Sequence, residues 1–267
     1  MYVLHQDRRS TSLQGKHFEE QLFRTLKTPS FSEYSRFSHF VTKALDEIDH
    51  IFVLTSQPCR YESLPENWLQ KSSCVAADDF DRAFSKMRGV VDNHHLRIGL
   101  VHRMFVTFAQ RRGFHNIAVI EADAFSYTNS TMDDNTLGEF QKFIRSSEWD
   151  IIRFGYRPFF LENGGSTKCP EECSCHYERN LPTLGRRLCV IKSRRCDIRS
   201  SDMYILSERS FTEFSENLER FVVDMEAIQS LSSVWYMTPQ ESFQFSSSQM
   251  LDSQLRYADI FMKLCRT

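Results

Sequence analysis

Ile117-Ala118-Val119-Ile120-Glu121-Ala122-Asp123 is the stretch on which the fold class turns. Four apolar residues ending abruptly in carboxylates read as a short buried strand that runs into a polar edge. Upstream, Leu96 to Ala109 carries Leu96, Leu100, Met104 and Phe108 on one helical stripe. It stops at Arg111-Arg112-Gly113, basic residues followed by a C-terminal glycine. Two earlier runs repeat the strand pattern. Ile51-Phe52-Val53-Leu54 leads into Thr55-Ser56-Gln57-Pro58, and Cys74-Val75-Ala76-Ala77 ends at Asp78-Asp79. Downstream, Asp133 or Asp134 caps a helix bearing Leu137, Phe140, Phe143 and Ile144, and Trp149 to Phe154 is a further strand. Short buried strands alternating with helices predict an α/β fold with a central, mostly parallel sheet flanked by helices. Ligands of such sheets bind beyond the carboxyl ends of the strands. That rule selects Thr55–Glu62, Asp78–Asp81, Glu121–Asp123 and Gly155–Arg157.

Outside this region the chain has a different character. Residues 15–27 read as an amphipathic helix with Phe18, Leu22, Phe23 and Leu26 on one face. A second helix is expected from Ser32 to Asp49, with Phe37, Phe40, Val41, Ala44, Leu45 and Ile48 at helical spacing. The expected organisation is therefore an N-terminal helical extension (1–48) packed on a main domain (49–267), with a Cys-rich insertion at 159–196. The 267 residues are ample for a sizeable core. Lys and Arg total 33 against 35 Asp and Glu, a net charge of −2 that gives no electrostatic case for binding nucleic acid. No apolar run approaches a membrane span, and the start has no apolar signal core. The expected location is cytoplasmic, or the Golgi or endoplasmic reticulum lumen if an N-terminal anchor was removed. No P-loop, dinucleotide fingerprint, HExxH or G-x-S-x-G occurs, so kinase, dehydrogenase, zincin and hydrolase readings lack support.

Glu121 and Asp123 stand two residues apart, which in extended backbone places them on one face. Two carboxylates so placed can hold a hard divalent cation that shares oxygens with a substrate diphosphate. The plainer alternative is a solvated loop or helix cap.

The ordered set Ile51–Thr55, Cys74–Asp79, Gly99–Gly113, Ile117–Phe125, Trp149–Gly155, Met203–Glu208 and Val223–Met237 resembles the GT-A glycosyltransferases. Among these it is most similar to glycosyltransferase family 25, the lipopolysaccharide and collagen galactosyltransferase type. Gly99-Leu100-Val101-His102 corresponds to that family's helix start, and Ile120-Glu121-Ala122-Asp123 to its acidic strand end. Trp149-Asp150-Ile151-Ile152-Arg153-Phe154-Gly155, Tyr204-Ile205-Leu206-Ser207 and Val223-Asp224 match three later motifs. The resemblance covers roughly Asp49 to Gln244. Ala122 replaces the middle acid, Val101 stands where a Ser is expected, and no histidine follows His176. These departures leave metal dependence open, with Arg or Lys as alternative partners for the diphosphate.

The resemblance implies a GT-A-like (Rossmann-like) sheet and transfer of a monosaccharide from a nucleotide-sugar, a UDP-sugar first. The acceptor would be a hydroxyl of a glycan or glycoprotein, and the anomeric centre would invert. Glu121 and Asp123 would hold Mn2+ or Mg2+. Thr55, Gln57 and Arg60 would border the base and phosphates, and Asp78 or Asp79 would accept hydrogen bonds from base or ribose. Arg97 would pair with a phosphate. His102 is either a donor-site residue or a satisfied core histidine. Asp224 would be the general base, with Glu226 and Asp202 as further candidates. For Asp78, Asp79 and Asp224 the competing reading is a helix N-cap. A second functional reading is a non-catalytic carbohydrate-binding or assembly protein on the same fold.

The chain has eight cysteines. Cys169, Cys173, Cys175, Cys189 and Cys196 crowd one stretch, whose Cys169–His176 segment is C-x3-C-x-C-H. Disulfides, free thiols and zinc are all compatible with this spacing. Cys59 and Cys74 stand apart and are expected to be ordinary buried thiols. The long segment Phe159–Arg187 is expected to be a loop of lid type near the strand ends.

Overall fold

The computed structural model describes residues 39–55, 66–76, 94–121, 124–126, 134–146, 148–154, 157–158, 176–177, 184, 188–190, 198–199, 203–219, 227–237 and 243–245. The helix expected over 15–27 and the start of the one expected over Ser32–Asp49 lie outside these residues. What is described of the second is a short helix, α1 (His39–Ala44), continued by a 3-10 turn at Leu45–Glu47. Ile48 is already extended, so the helix ends before Asp49. The Lys71 ammonium donates to the carbonyls of Leu45, Asp46 and Ile48 at 2.7, 2.9 and 2.8 Å, satisfying the turn's open end.

The strands and helices follow in the order β1 (His50–Thr55), α2 (Glu66–Leu69), β2 (Ser72–Ala76), α3 (His94–Arg112), β3 (Asn116–Glu121), β4 (Ala124–Ser126) and α4 (Asp134–Arg145). Then come β5 (Ile151–Arg153), β6 (Arg157–Pro158), β7 (His176–Tyr177), β8 (Leu188–Val190), β9 (Ile198–Arg199) and β10 (Met203–Ser207). A 3-10 turn at Glu208–Ser210, α5 (Phe211–Leu218), β11 (Val234–Met237) and β12 (Phe243–Phe245) complete the order. Eight strands form one sheet in the order β2-β1-β3-β10-β5-β11-β8-β7.

The class is α/β, but the sheet is mixed rather than mostly parallel. β1 runs parallel to β2 and β3, and β5 runs parallel to β11. Between these groups β10 is antiparallel to both β3 and β5. Met-Tyr-Ile-Leu in β10 is buried on both faces. Such a run looks the same in either direction, so periodicity carries no information about its sense. The insertion is also more than a loop. Its β8 pairs with β11 and its β7 with β8, extending the sheet by two strands.

Strand alternation divides the core into two layers. Phe52, Val75, Ile117, Val119, Ile151, Tyr204 and Leu206 face α3 and α5, where Val101, Met104, Phe105, Phe211 and Phe214 fill the layer. Ile51, Val53, Ala118, Ile120, Ile152 and Ile205 face the other way, against Ala44, Leu45, Phe140, Phe143 and Ile144 of α1, its turn and α4. Each fully buried Phe or Ile contributes on the order of 1.5–3 kcal/mol of transfer free energy.

Side chains pin the amino ends of the strands. The Asp49 carboxylate accepts from the backbone N–H groups of His115 and Asn116 at 2.6 and 3.1 Å, locking the starts of β1 and β3 together. Asp150 does the same for three elements further along. One carboxylate oxygen accepts from the Ser233 N–H at 2.7 Å, and the other meets the Arg209 guanidinium at 2.7 Å. Its backbone carbonyl accepts from the Ser207 N–H and the Ser210 hydroxyl. Asp150 thereby ties the start of β5 to the end of β10 and the approach to β11.

Candidate functional site

With the amino ends fixed, the carboxyl ends of β1, β2, β3, β5 and β11 share the opposite edge. From β1 the chain moves to β2 on one side and then crosses to β3 on the other. The carboxyl end of β1, beside β3, is therefore a topological switch point, where outgoing connections separate and leave a crevice. Glu121 is the last residue of β3, in register with Leu54 of β1. It is partly buried, and alternation puts it on the same face as Val119 and Ile117, the α3 side. Thr55 ends β1 at the same edge and is almost covered. Its alternation with Val53 places it on the α1–α4 side. The sheet thus brings Thr55 and Glu121 to one edge but onto opposite faces.

Of the remaining residues singled out in the sequence, Arg97 lies in the first turn of α3. Gln57, Arg60, Asp78, Asp79, Asp123, Asp202, Asp224 and Glu226 lie outside the described residues. Among the described residues no three or more His, Cys, Asp and Glu side chains converge on a metal position.

His102 is completely buried in α3, within the layer between helix and sheet. Its Nδ1 lies 2.5 Å from the Tyr204 hydroxyl oxygen, and the two rings stack with centroids 5.6 Å apart. Burial holds its pKa down to about 3, so the imidazole is neutral at any ordinary pH. Of the two readings of this histidine, the geometry is that of a core residue.

Tyr204 and Arg153 are the polar residues that sequence reasoning assigned no role. Both belong to quoted strands, where each interrupts an apolar run. Tyr204 of β10 is in register with Val119 on one side and Arg153 of β5 on the other. Both side chains are buried. Burial, and then the nearby Glu121 charge, push the Tyr204 phenol well above its usual pKa. Tyr204, bonded to His102, and Arg153, in register beside it, are thus buried polar residues of the α3-side layer, and Glu121 ends β3 on the same face. The signal for them was a polar residue within a strand buried on both faces.

Cys74 departs from its expected state. It is fully buried in β2, but its sulfur is in a disulfide rather than a free thiol. Separation along the sequence says little about which sulfurs folding brings together. Cys59 and most of the Cys-rich segment lie outside the described residues.

No protein-family model matches the chain, and no curated protein matches it.

Proposed function

We propose that this chain is a nucleotide-sugar-dependent glycosyltransferase acting on a glycan or glycoprotein hydroxyl. The observation that carries the reading is Glu121, a carboxylate at the carboxyl end of a central strand and beside the switch point. A nucleotide diphosphate fits such a crevice. The GT-A resemblance and the motif series around Glu121 add the sugar.

In this reading Thr55 at the end of β1, with Gln57 and Arg60 after it, borders the nucleotide, with Asp78 or Asp79 after β2. Asp224 takes the proton of the acceptor hydroxyl as its oxygen attacks the anomeric carbon, with Glu226 and Asp202 as alternatives. The bond from that carbon to the diphosphate oxygen breaks, and the nucleoside diphosphate leaves with the electron pair. Glu121 is a hard oxygen donor, of the kind a manganese or magnesium ion takes, and Asp123 would complete the pair. Such an ion supplies charge neutralisation at the departing diphosphate.

Among the described residues no helix is long and apolar enough to cross a membrane. The disulfide at Cys74 favours an oxidising lumen over the cytoplasm as the place where the chain matures.

The test is a panel of labelled nucleotide-sugars, offered with and without manganese, together with thermal shifts for the corresponding nucleotides. Transfer or donor hydrolysis supports the enzyme. Asp123→Ala is expected to abolish transfer, with the thermal midpoint of the unliganded protein unchanged within about 2 °C, the shift of a sub-kilocalorie change. Near-normal turnover in that variant sinks the acidic-edge assignment. Binding without turnover in the unaltered protein supports the non-catalytic reading instead.

A further inference from the structure

The sulfur of Cys74 is in a disulfide, and the sheet restricts which cysteine can hold the other end. Cys74 stands at the centre of β2, completely buried, and faces the α1–α4 side together with Val53 and Trp68. A disulfide needs Cα atoms about 4.4–6.8 Å apart. Cys189 lies in β8, six strand-to-strand steps from β2. At the usual strand spacing that is roughly 29 Å. β7 is one step further, and Cys175 and Cys173 lie one and three residues before its first residue. Three extended residues recover only about 10 Å of roughly 34 Å. These three cysteines are therefore out of reach. Cys169, seven residues before β7, would have to cross nearly the whole sheet as a straight run.

Close to β2 the chain offers Cys59. Thr55 ends β1 in register with Ala76, two residues beyond Cys74. Cys59 follows Thr55 by four residues, so its Cα stays within about 14 Å of that point. From there the chain goes on to α2, whose Trp68 packs in the layer that Cys74 faces. α3, which makes the opposite crossing from β2 to β3, packs on the other face. Two right-handed crossovers in opposite directions demand this arrangement, and it assigns the path leaving β1 to the face of Cys74. Cys196 precedes β9, a strand of a separate two-stranded sheet, and Cys265 lies twenty residues beyond β12. Neither adjoins β1, α2 or β2 in the chain. We infer that Cys59 is the partner of Cys74, and that the link fixes the segment after β1 at the switch point. In forming it the two thiols give up two protons and two electrons to a disulfide oxidant of the maturing compartment, which leaves as a dithiol. Gln57 and Arg60 flank Cys59 closely. The pairing stands apart from the glycosyltransferase reading. Its consequence for these two residues rests on that reading, and deepens it with a covalent constraint on the segment bordering the nucleotide. A segment held in place before the ligand arrives lowers the ordering cost of binding.

The experiment begins with the unaltered chain, secreted through an oxidising compartment, alkylated without reductant and digested with trypsin. Ala44–Arg60 is expected joined to Ser72–Arg82, at the summed mass less two hydrogens. Ser72–Arg82 joined to any other cysteine peptide, or recovered alkylated, overturns the inference. Cys59→Ser supplies the second readout. Under native conditions trypsin is expected to cut after Arg60 about fivefold faster in this variant, because the segment is no longer tied down. Equal rates overturn the fixing of the segment. In a chain that transfers sugar, the variant should raise the donor KM about fivefold with kcat within about twofold. An unchanged KM overturns the role at the nucleotide and leaves the glycosyltransferase reading standing. Absence of transfer by the unaltered chain from every donor in the panel overturns that reading and the role with it, while the peptide map alone decides the pairing.

Discussion

Folding takes the imidazoles of His50 and His102 out of water, and this sets how the protein answers to acid. His50 is half-buried at the start of β1, its Nε2 2.9 Å from the Ser73 hydroxyl and its ring stacked on Phe114. Burial first, then the Arg112 and Lys71 charges, lower its pKa from 6.5 to about 4. His102 falls to about 3 by burial alone. Both folded values lie below the unfolded value, so as pH drops below about 6.5 the unfolded chain binds protons that the folded chain refuses. Stability therefore decreases from pH 6.5 downward until the folded values are reached. His115, exposed beside Glu208, has the opposite sign. Its folded pKa is raised, so its contribution is present in acid and lost as pH rises through that value. Glu47, held low by Arg145, is lost only as pH falls below about 4.5, so the histidine window is separable. Between pH 7.5 and pH 5 we expect a loss of about 2–4 kcal/mol, after allowance for the partial exposure of His50. Urea unfolding at the two pH values measures it. In the double variant His50→Gln, His102→Asn the loss toward acid should disappear, leaving the opposite trend of His115, and a pH-independent midpoint in the unaltered protein would refute the assignment.

At the scale of the element, α3 shows what sequence periodicity conveys and what it omits. Its leucine, methionine and phenylalanine stripe and the Arg-Arg-Gly stop are legible in the sequence, and the helix ends at Arg112 with Gly113 at φ +68°. The left-handed region is costly for any residue with a Cβ. Nothing lies within 4 Å of a Cβ built on Gly113, so the cost of Gly113→Ala is purely that of the backbone, about 1 kcal/mol. Gly99 is the contrasting case. It is part of the motif on which the family resemblance was read, yet a Cβ there would meet the Leu218 carbonyl oxygen of α5 at 3.7 Å, an ordinary contact. Close helix packing therefore does not demand glycine at this position. Gly99→Ala should raise stability by about 0.5–1 kcal/mol, since alanine loses less backbone entropy in a helix. Thermal unfolding of the two variants tests the pair, and shifts of the same sign would contradict it. Strand existence was equally legible for β1, β2 and β3, each built around a short apolar run, whereas β10 was read through the family resemblance. The direction of β10 was not legible, and neither were the two- and three-residue strands β6, β7, β8 and β9. Their pairing is decided by partners distant in the chain, which leave no period in so short a segment.

Across the whole molecule, the parts of the candidate site that can be read in sequence are those where an apolar run breaks. Glu121 announces itself that way. The contact between His102 and Tyr204 does not, because it closes over 102 residues and becomes visible only when α3 packs on β10. The same is true of the disulfide at Cys74, and this link has consequences for the entire fold. Among the described residues β2 is the outer strand of the sheet, paired with β1. A covalent tie at its buried centre restricts the unfolded chain. In the chain-entropy account a native disulfide contributes about 2–4 kcal/mol. Cys74→Ala is expected to lose that amount together with some packing in the layer that includes Val53 and Trp68. For a chain of this size the thermal midpoint should fall by about 5–12 °C. Peptide mapping without reductant provides the direct check. The Cys74 peptide should appear joined to a second cysteine peptide in protein secreted through an oxidising compartment. Recovery of Cys74 alkylated as a free thiol from such material would refute the link, and with it the preference for luminal maturation.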